Sequence, residues 1–434
     1  MDKKPVLVVG GGIAGIQASI DLGSMGYKVY LVEKTAAIGG RMAQLDKTFP
    51  TNDCSICILA PKMIECARHE NVELVTYAEL QEVEPDGSGG YKVKILRKPR
   101  YVDIDKCTGC EECIEKCPIK ADNEFNQKLD KRKAIYIPFA QAVPRKAVID
   151  ADICRYITQQ KCGLCKKVCQ AEAIDFDQKE EILEIDAGAV VLATGFDLYD
   201  ISAMREYGYG QIKDVITAMQ FERLICASGP SHGHLERPSD GEIPKSLAFI
   251  QCVGSRDQIN NPYCSSVCCM HATKEAILAN EHYPHLKPHI FYTDMRAVGK
   301  RFQDYVTRAH DQYNVEYVRS RPSKIVEDEE TGNPVIYYED TVSQTVKKKE
   351  FEMVVLCQAL IPSVSHQELA KVLGVSLDSC GFITVPDKLF NPVDTDKEGI
   401  FACGFCQSPQ DIPDSVVQAS GCAARVAEYL AEVS

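Results

Sequence analysis

Apolar positions near the start of the chain are spaced by glycines in a pattern that predicts a strand, a turn, a helix and a second strand. An apolar run from Pro5 to Val9 is typical of a buried parallel strand, and spaced glycines follow it at once. A helix is predicted over Ile16 to Met25, and a second strand over Tyr27 to Val32, which ends at Glu33. This order of elements predicts a dinucleotide-binding βαβ unit.

The glycine turn has the spacing of a phosphate-binding loop. Gly10 permits the tight turn, Gly12 lets the backbone approach a pyrophosphate, and Gly15 lets the helix pack on the sheet. We expect Glu33 to hold the ribose hydroxyls, with Lys34 beside it as a further contact. Because the glycines interrupt the apolar N-terminal run, a buried first strand is favoured over a signal peptide.

Three later segments favour FAD over NAD as the dinucleotide. Gly39-Gly40-Arg41 follows the acid, as in flavoproteins with two dinucleotide-binding domains. The segments from Ala187 to Gly195 and from Gly399 to Gly404 are similar to the strands that return to the flavin in those proteins. A helix predicted from about Ser415 to Leu430 is expected to point its N-terminus at the flavin pyrimidine. The candidate FAD contacts beyond the first loop are Gly40, Arg41, Gly195, Gly404 and Ile412.

Composition places the chain among soluble redox or metal proteins. Its 434 residues include 21 cysteines, and the formal net charge of -13 argues against binding to a nucleic-acid backbone. Cysteines grouped in C-x2-C pairs in a chain of this length favour metal or redox chemistry in a reducing compartment, so we expect a cytoplasmic protein. No apolar run approaches the roughly 20 residues of a transmembrane helix.

Two cysteine runs in the middle of the chain predict a ferredoxin-like insert. The first has the spacing C-x2-C-x2-C-x3-C-P of bacterial [4Fe–4S] ferredoxins, and the second is a looser version of it. In two-cluster ferredoxins the fourth cysteine of each run binds the other cluster. The predicted ligands of cluster one are therefore Cys107, Cys110, Cys113 and Cys169, and those of cluster two are Cys117, Cys154, Cys162 and Cys165. Zinc is the alternative for any C-x2-C pair.

A third cysteine group occupies the place where a second dinucleotide loop is expected. The predicted strand from Ser246 to Cys252 runs into Val-Gly-Ser-Arg rather than into G-x-G-x-x-G, and a helix is predicted from Met270 to Glu281. The cysteines before this helix are Cys252, Cys264, Cys268 and Cys269, and they are candidate ligands of a third cluster. Burial as small apolar residues is the alternative for the adjacent pair.

These motifs identify a family resemblance. The segment from Cys252 to Lys274, the segment from Thr51 to Met63 and Asp411-Ile-Pro-Asp resemble the heterodisulfide reductase A subunit family, and the chain is similar to a short, cluster-rich member. The resemblance implies FAD, three [4Fe–4S] clusters and a flavin that can bifurcate electron pairs. It also implies that Lys274 lies near flavin N5, where a cation stabilises the reduced ring. No further ferredoxin motif follows the last flavin segment.

The expected fold is an α/β flavoprotein with two dinucleotide-binding domains, like thioredoxin and glutathione reductases, and an inserted two-cluster ferredoxin-like α+β domain. We expect the FAD-binding domain over 1–98, 184–245 and 359–434, the ferredoxin-like insert over 99–183, and a degenerate NAD-type domain with a cluster over 246–358.

The expected function is that of an electron-transfer subunit of a soluble oxidoreductase of heterodisulfide reductase type, in anaerobic metabolism. The expected partners are heterodisulfide reductase B- and C-like subunits, hydrogenase- or dehydrogenase-linked donors, and ferredoxin. A homodimeric core and a peripheral membrane complex are compatible with the resemblance. The alternatives are a self-contained flavin disulfide or NAD(P)H reductase, the A subunit of a quinone-linked complex, and a zinc-stabilised scaffold that carries FAD.

Overall fold

In the computed structural model, which describes residues 3–433, a five-stranded parallel sheet forms the centre of the first of two units. The unit comprises Met1–Ala43, Ile56–Phe196 and Pro362–Ser434. Its central strands are buried on both faces, as expected of a parallel sheet covered on each side. In spatial order the strands are Ile400–Ala402, Ala189–Leu192, Val6–Val9, Val29–Glu33 and Val72–Thr76.

Two helices cover one face of this sheet. The helices Ile13–Ser24 and Ile412–Val433 pack against each other, and their apolar side chains share one core with the strands. A three-stranded antiparallel sheet and the helix His366–Leu373 share a second core with the opposite face. The antiparallel strands are Ala78–Pro85, Tyr91–Arg97 and Glu181–Ala187, and a further helix is Ser55–Arg68.

The segment between the second and third antiparallel strands forms a small cysteine-rich subdomain. Its core is built from apolar residues and the cysteines themselves, and a bridge between Val102 and Ile174 closes it. Two similar turns begin at Asp103 and Asp150, whose carbonyl oxygens accept the amides of Cys107 and Cys154 at 3.0 and 3.1 Å. The elements are the helices Glu112–Lys116, Arg155–Gln159 and Leu164–Val168 and the strand pairs Lys120–Asp122 with Lys131–Lys133 and Ile135–Tyr136 with Val148–Ile149.

The second unit, Gln44–Ser55 and Asp197–Ile361, contains another five-stranded parallel sheet. Its strands, in spatial order, are Val215–Thr217, Met353–Gln358, Ser246–Val253, Lys287–Tyr292 and Glu316–Arg319. An antiparallel sheet is formed by Lys324–Glu327, Pro334–Asp340 and Thr345–Glu350. The helices are Ala218–Ile225, Cys268–His282 and Phe302–Tyr313. Within residues 3–433 there is no helix with the length and apolar character needed to cross a membrane.

Some domain bounds and one helix start expected from the sequence differ from the structure. Residues 44–55, 197–245 and 359–361 were expected in the FAD-binding domain but belong to the second unit. For 197–245 the reason is a contact distant in sequence, since Val215–Thr217 pairs in parallel with Met353–Gln358. The helix expected from Met270 begins earlier, at Cys268, so two of the candidate ligands lie in its first turn.

Gly15→Ala tests the close packing of helix and loop in the first unit. A Cβ at Gly15 would lie 1.9 Å from the carbonyl oxygen of Gly10, so the backbone must move. We expect a loss of about 1–3 kcal/mol in the free energy of unfolding of the FAD-free protein, measured by urea titration. As a control, Gly421→Ala in the last helix meets nothing within 4 Å and is expected to gain up to about 1 kcal/mol. Equal stabilities for the two variants would contradict this packing.

Candidate redox centres

The first glycine loop leaves open space for a phosphate while its ends are tightly packed. Gly10 has φ of 110°, and a Cβ there would lie 2.4 Å from the carbonyl oxygen of Ala193. By contrast, a Cβ at Gly12, which caps the helix Ile13–Ser24, would meet nothing within 4 Å. The helix N-terminus with this open face can donate its free amides to an anion. The loop therefore fits a dinucleotide pyrophosphate.

Glu33 lies at the end of the neighbouring strand and is buried. Its carboxylate accepts the amide of Gly11 at 2.7 Å, and both the amide and the hydroxyl of Thr35 at 2.8 Å. These bonds fix the carboxylate beside the loop and leave it lone pairs to accept ribose hydroxyls. Lys34, next in the chain, is exposed.

The later glycine segments return to the same loop. Gly40, at φ of 57°, lies close to Gly12. A Cβ on Gly40 would lie 2.9 Å from the Cα of Gly12. Gly404, at φ of 78°, would place a Cβ 2.9 Å from the Cβ of Ala14, and its amide donates to Gln418 at 2.7 Å. Three of the candidate FAD residues are thus brought together from distant parts of the chain.

The remaining candidate FAD residues lie at loop and helix ends of the first unit. Gly195 follows the strand Ala189–Leu192 at φ of 66°, with open space where a Cβ would be. Arg41 is half-buried in the short 3-10 helix Gly40–Gln44. Ile412 is half-buried and begins the helix Ile412–Val433. Their positions are compatible with the predicted contacts.

Four cysteines of the insert surround one cavity. It is lined by Cys107, Cys110, Cys113 and Cys169 together with Gly109 and apolar residues. Gly109 is in the left-handed region, at φ of 70°, which the tight turn between two of these cysteines requires. The fourth cysteine of this cavity comes from the second run, as the crossed arrangement predicts.

A second cavity has the complementary set. It is lined by Cys117, Cys154, Cys162 and Cys165, together with Pro118 and Gly163. Burial raises the pKa of one thiol in each cavity: that of Cys113 in the first to about 12, and that of Cys165 in the second to about 11. Thiols with such pKa values stay protonated unless a cation is present, so a metal cluster fits both sets of cysteines.

The third cysteine group lies at the end of the strand Ser246–Val253 and the start of the helix Cys268–His282. The thiol of Cys268 is within hydrogen-bond reach of the thiols of both Cys252 and Cys269. All three side chains are buried. Cys264 is half-buried, and its thiol accepts the amide of Ser266 at 3.4 Å. Its role as the fourth ligand stays a prediction.

Positive charge and hydrogen-bond donors surround this group. The bond from Cys268, followed by the charges of Arg256 and Arg321, lowers the pKa of Cys252 to about 6, against its burial. The thiol of Cys269 accepts the amide of Arg296 at 3.4 Å. Conversely, the neighbouring thiols and complete burial raise the pKa of Cys268 well above its usual range. The bond from Cys268 also lowers the pKa of Cys269, so two thiolates are favoured and that of Cys268 is opposed. A bound cation would relieve that opposition.

Lys274 is fully buried in the same helix. Its ammonium group donates to the carboxylate of Glu222 and, at 3.3 Å, to the carbonyl oxygen of Lys47. Burial lowers the pKa of Lys274 to about 8, and the charge of Glu275 opposes that shift. His271 lies 2.6 Å from the carboxylate of Glu222. Lys274 is therefore a buried cation in a network of titratable groups.

Some groups at these centres are not evident from the sequence. Glu222 is 52 residues from its partner Lys274 and sits on another helix, so no local spacing connects them. Arg256 belongs to the cysteine motif, but only the structure shows its contact with Cys252. The structure also shows that Cys54 and Cys57 are both disulfide-bonded, whereas Cys66 is a free buried thiol.

Comparisons with known proteins agree with this geometry. The family model described as FAD dependent oxidoreductase matches residues 5–54, and the model described as 4Fe-4S binding domain matches residues 100–121. Among solved structures, thioredoxin reductases from Lactococcus lactis and T. acidophilum superpose with TM-scores of 0.53 and 0.54 at 16% and 14% identity. Those superpositions cover 99% and 100% of this chain and all of each reductase. They confirm the expected α/β flavoprotein fold.

The sequence relatives are more similar. The chain is 52% identical over 427 residues to an iron-sulfur A subunit of the CoB--CoM heterodisulfide reductase of Methanopyrus kandleri, a match that covers 98% of the chain and 64% of the relative. It is 48% identical to the A subunit of the H(2):CoB-CoM heterodisulfide,ferredoxin reductase of Methanothermobacter thermautotrophicus, covering 97% of the chain and 63% of the relative. The chain thus spans just under two thirds of these relatives. Over nearly its whole length the chain is therefore similar to the A subunits of heterodisulfide reductases.

Proposed function

We propose that the protein is the FAD- and [4Fe–4S]-carrying electron-transfer subunit of a heterodisulfide reductase-type complex. The observation that carries this proposal is the sorting of eight cysteines into two cavities, each lined by three cysteines of one run and one of the other. A third thiol group, Cys252 with Cys268 and Cys269, lies between the end of a central parallel strand and the start of a helix, and a phosphate loop has that position in a dinucleotide-binding unit. The protein would exchange electrons one at a time through these thiolate-bound centres and in pairs through the flavin.

The first unit would hold FAD through its glycine loop. Bound FAD supplies two-electron chemistry that can be divided into single-electron steps. The open face at Gly12 and the helix N-terminus would bind the pyrophosphate, and Glu33 would accept the ribose hydroxyls. The remaining contacts with FAD would come from segments that end near the loop or begin a helix. Their residues are Gly40, Arg41, Gly195, Gly404 and Ile412.

The twelve predicted cysteine ligands would hold three clusters. Cys107, Cys110, Cys113 and Cys169 would bind the first, and Cys117, Cys154, Cys162 and Cys165 the second. Cys252, Cys264, Cys268 and Cys269 would bind the third. Burial and neighbouring thiols raise the pKa of one thiol in each set, namely Cys113, Cys165 and Cys268, and iron would relieve that cost by binding the thiolates.

Lys274 would stabilise negative charge on the reduced flavin ring. A buried ammonium group is worth more to a nearby anion than an exposed one, because little water screens it. Its pKa of about 8 keeps it largely protonated at neutral pH, while the carboxylate of Glu222 orients it. The family resemblance, rather than a contact in the structure, motivates this role.

The partners would be the B- and C-like subunits of such a complex, a hydrogenase- or dehydrogenase-linked donor and ferredoxin, in the cytoplasm. The names of five relatives include ferredoxin, which supports a low-potential carrier as one partner. Electron bifurcation at the flavin would be the activity of the assembled complex.

Paired cysteine substitutions test the crossed ligand sets. Wild-type protein purified without oxygen is expected to hold about twelve iron atoms. Cys169→Ala with Cys110→Ala removes two ligands of one cluster and should leave about eight, whereas Cys169→Ala with Cys162→Ala removes one ligand from each of two and should leave about four. Iron and sulfide analysis measures both. The reverse order of iron loss would assign Cys169 to the other cavity, and zinc in place of iron would support a scaffold.

Mixing with NADH tests the proposed route of electrons. Because the strand Ser246–Val253 leads to thiols instead of a phosphate loop, NADH alone should leave the flavin oxidised in stopped-flow measurements. Chemically reduced ferredoxin should bleach it. Rapid bleaching by NADH alone would favour the self-contained reductase.

Lys274→Gln tests the role of the buried cation. Loss of the ammonium group should lower the two-electron midpoint potential of the flavin by about 30 mV or more, a tenfold change in the reduction equilibrium. Spectroscopic titration measures it, with FAD content as a check on folding. Lys47→Gln is the matched control, since the Lys47 side chain is partly exposed and pairs with Glu281 at 3.6 Å. A flavin potential that is equal in both variants would contradict the role.

A further inference from the structure

Arg256 is held in a fixed position beside the third thiol group. It follows the strand Ser246–Val253 by three residues, in the left-handed region at φ of 54°, and its amide donates to the carbonyl oxygen of Tyr263 at 2.9 Å. Its Nη2 donates to the carboxylate of Asp294 at 2.6 Å. The guanidinium also reaches the thiol of Cys252. Backbone and side chain are thus both anchored.

One nitrogen of this guanidinium has no acceptor. Nη1 of Arg256 is buried and makes no hydrogen bond with the described residues. A buried donor on a charged group without a partner is costly, so it indicates an acceptor that binds there. Beside Cys252, the acceptor that the proposed function supplies is a sulfur atom of the cluster.

Asp294 links Arg256 to a second thiol, that of Cys269. Asp294, which holds the guanidinium, also places its backbone carbonyl 3.6 Å from the thiol of Cys269. Two residues later, the amide of Arg296 donates to that thiol at 3.4 Å. Segment 294–296 therefore contacts the sulfur group directly and positions the arginine against it.

We propose that Arg256 raises the reduction potential of the third cluster by donating from its free Nη1 to a cluster sulfur. The inference rests on the proposed function, because it requires a cluster at these thiols. Reduction adds one electron to the cluster and breaks or forms no bond, so four thiolates with a [4Fe–4S] core change from a net charge of about -2 to about -3. A fixed cation stabilises the reduced state more than the oxidised state.

Cations near the two ferredoxin-like cavities are engaged differently. Lys146 donates to the carbonyl oxygen of Cys107 at 2.5 Å, Lys133 to that of Cys117 at 2.7 Å, and Arg145 to that of Gly109 at 2.8 Å. These groups bind backbone oxygens of the ligand loops. Arg256 has a donor that is free to face sulfur, so electrons would be favoured on the third cluster.

The test is a redox titration with dithionite, followed by electron paramagnetic resonance, on full-length holoprotein that also contains the other two clusters. The signal of the third cluster is identified as the one lost in Cys252→Ala. In Arg256→Gln, the reduced-to-oxidised ratio of this signal at a fixed potential should fall at least tenfold, which is about 59 mV for one electron. Arg319→Gln is the control: this arginine lies 3.9 Å from the same Asp294, but it is mostly exposed and should change the ratio less than threefold.

The possible results separate the two proposals. If Arg256→Gln keeps its full iron content and its reduced-to-oxidised ratio is unchanged, the inference is overturned. An equal change of that ratio in Arg319→Gln also overturns it. If Arg256→Gln loses its iron, Asp294→Asn carries the test: removing the carboxylate that neutralises Arg256 should raise the ratio, and an unchanged or lower ratio overturns the inference. If wild type contains only two clusters, and Cys252→Ala loses no signal, the proposed third cluster itself fails and the inference fails with it.

Discussion

Thiols crowded together and removed from water are the constraint from which the redox account follows. Cys268 lies within hydrogen-bond reach of both Cys252 and Cys269, and all three are buried, so the ionisation of one opposes that of its neighbour. The pKa values of Cys252 and Cys269 fall while that of Cys268 rises, so positive charge is needed for all three to bind as thiolates. In the proposed function iron supplies that charge. In the insert, burial likewise raises the pKa of Cys113 and of Cys165, one thiol in each cavity.

The two units use one type of architecture for different chemistry. Each has a five-stranded parallel sheet, and in each a central strand leads through a turn to a helix. In the first unit the turn contains glycines that leave space at Gly12 for a phosphate. In the second unit the turn and helix carry cysteines, with Arg256 and Lys274 as the buried or half-buried cations. The same kind of strand, turn and helix thus carries glycines in one unit and cysteines in the other.

Much of this arrangement could be predicted from the sequence because its motifs are local. The glycine spacing from Gly10 to Gly15 and the C-x2-C pairs each specify a turn, and the structure has positive φ at Gly10, Gly109 and Gly163. The crossed cysteine sets also appear around the predicted cavities. What could not be predicted depends on contacts between distant segments. The pair of Glu222 with Lys274 joins two helices, and residues 197–245 join the second sheet through a strand of three residues.

The most direct measurement is anomalous diffraction at the iron edge from crystals grown without oxygen. The account predicts three iron centres per chain, with the third bonded to the sulfur atoms of Cys252, Cys268 and Cys269 and completed by Cys264. Two iron centres, with these thiols unmetallated, would contradict it.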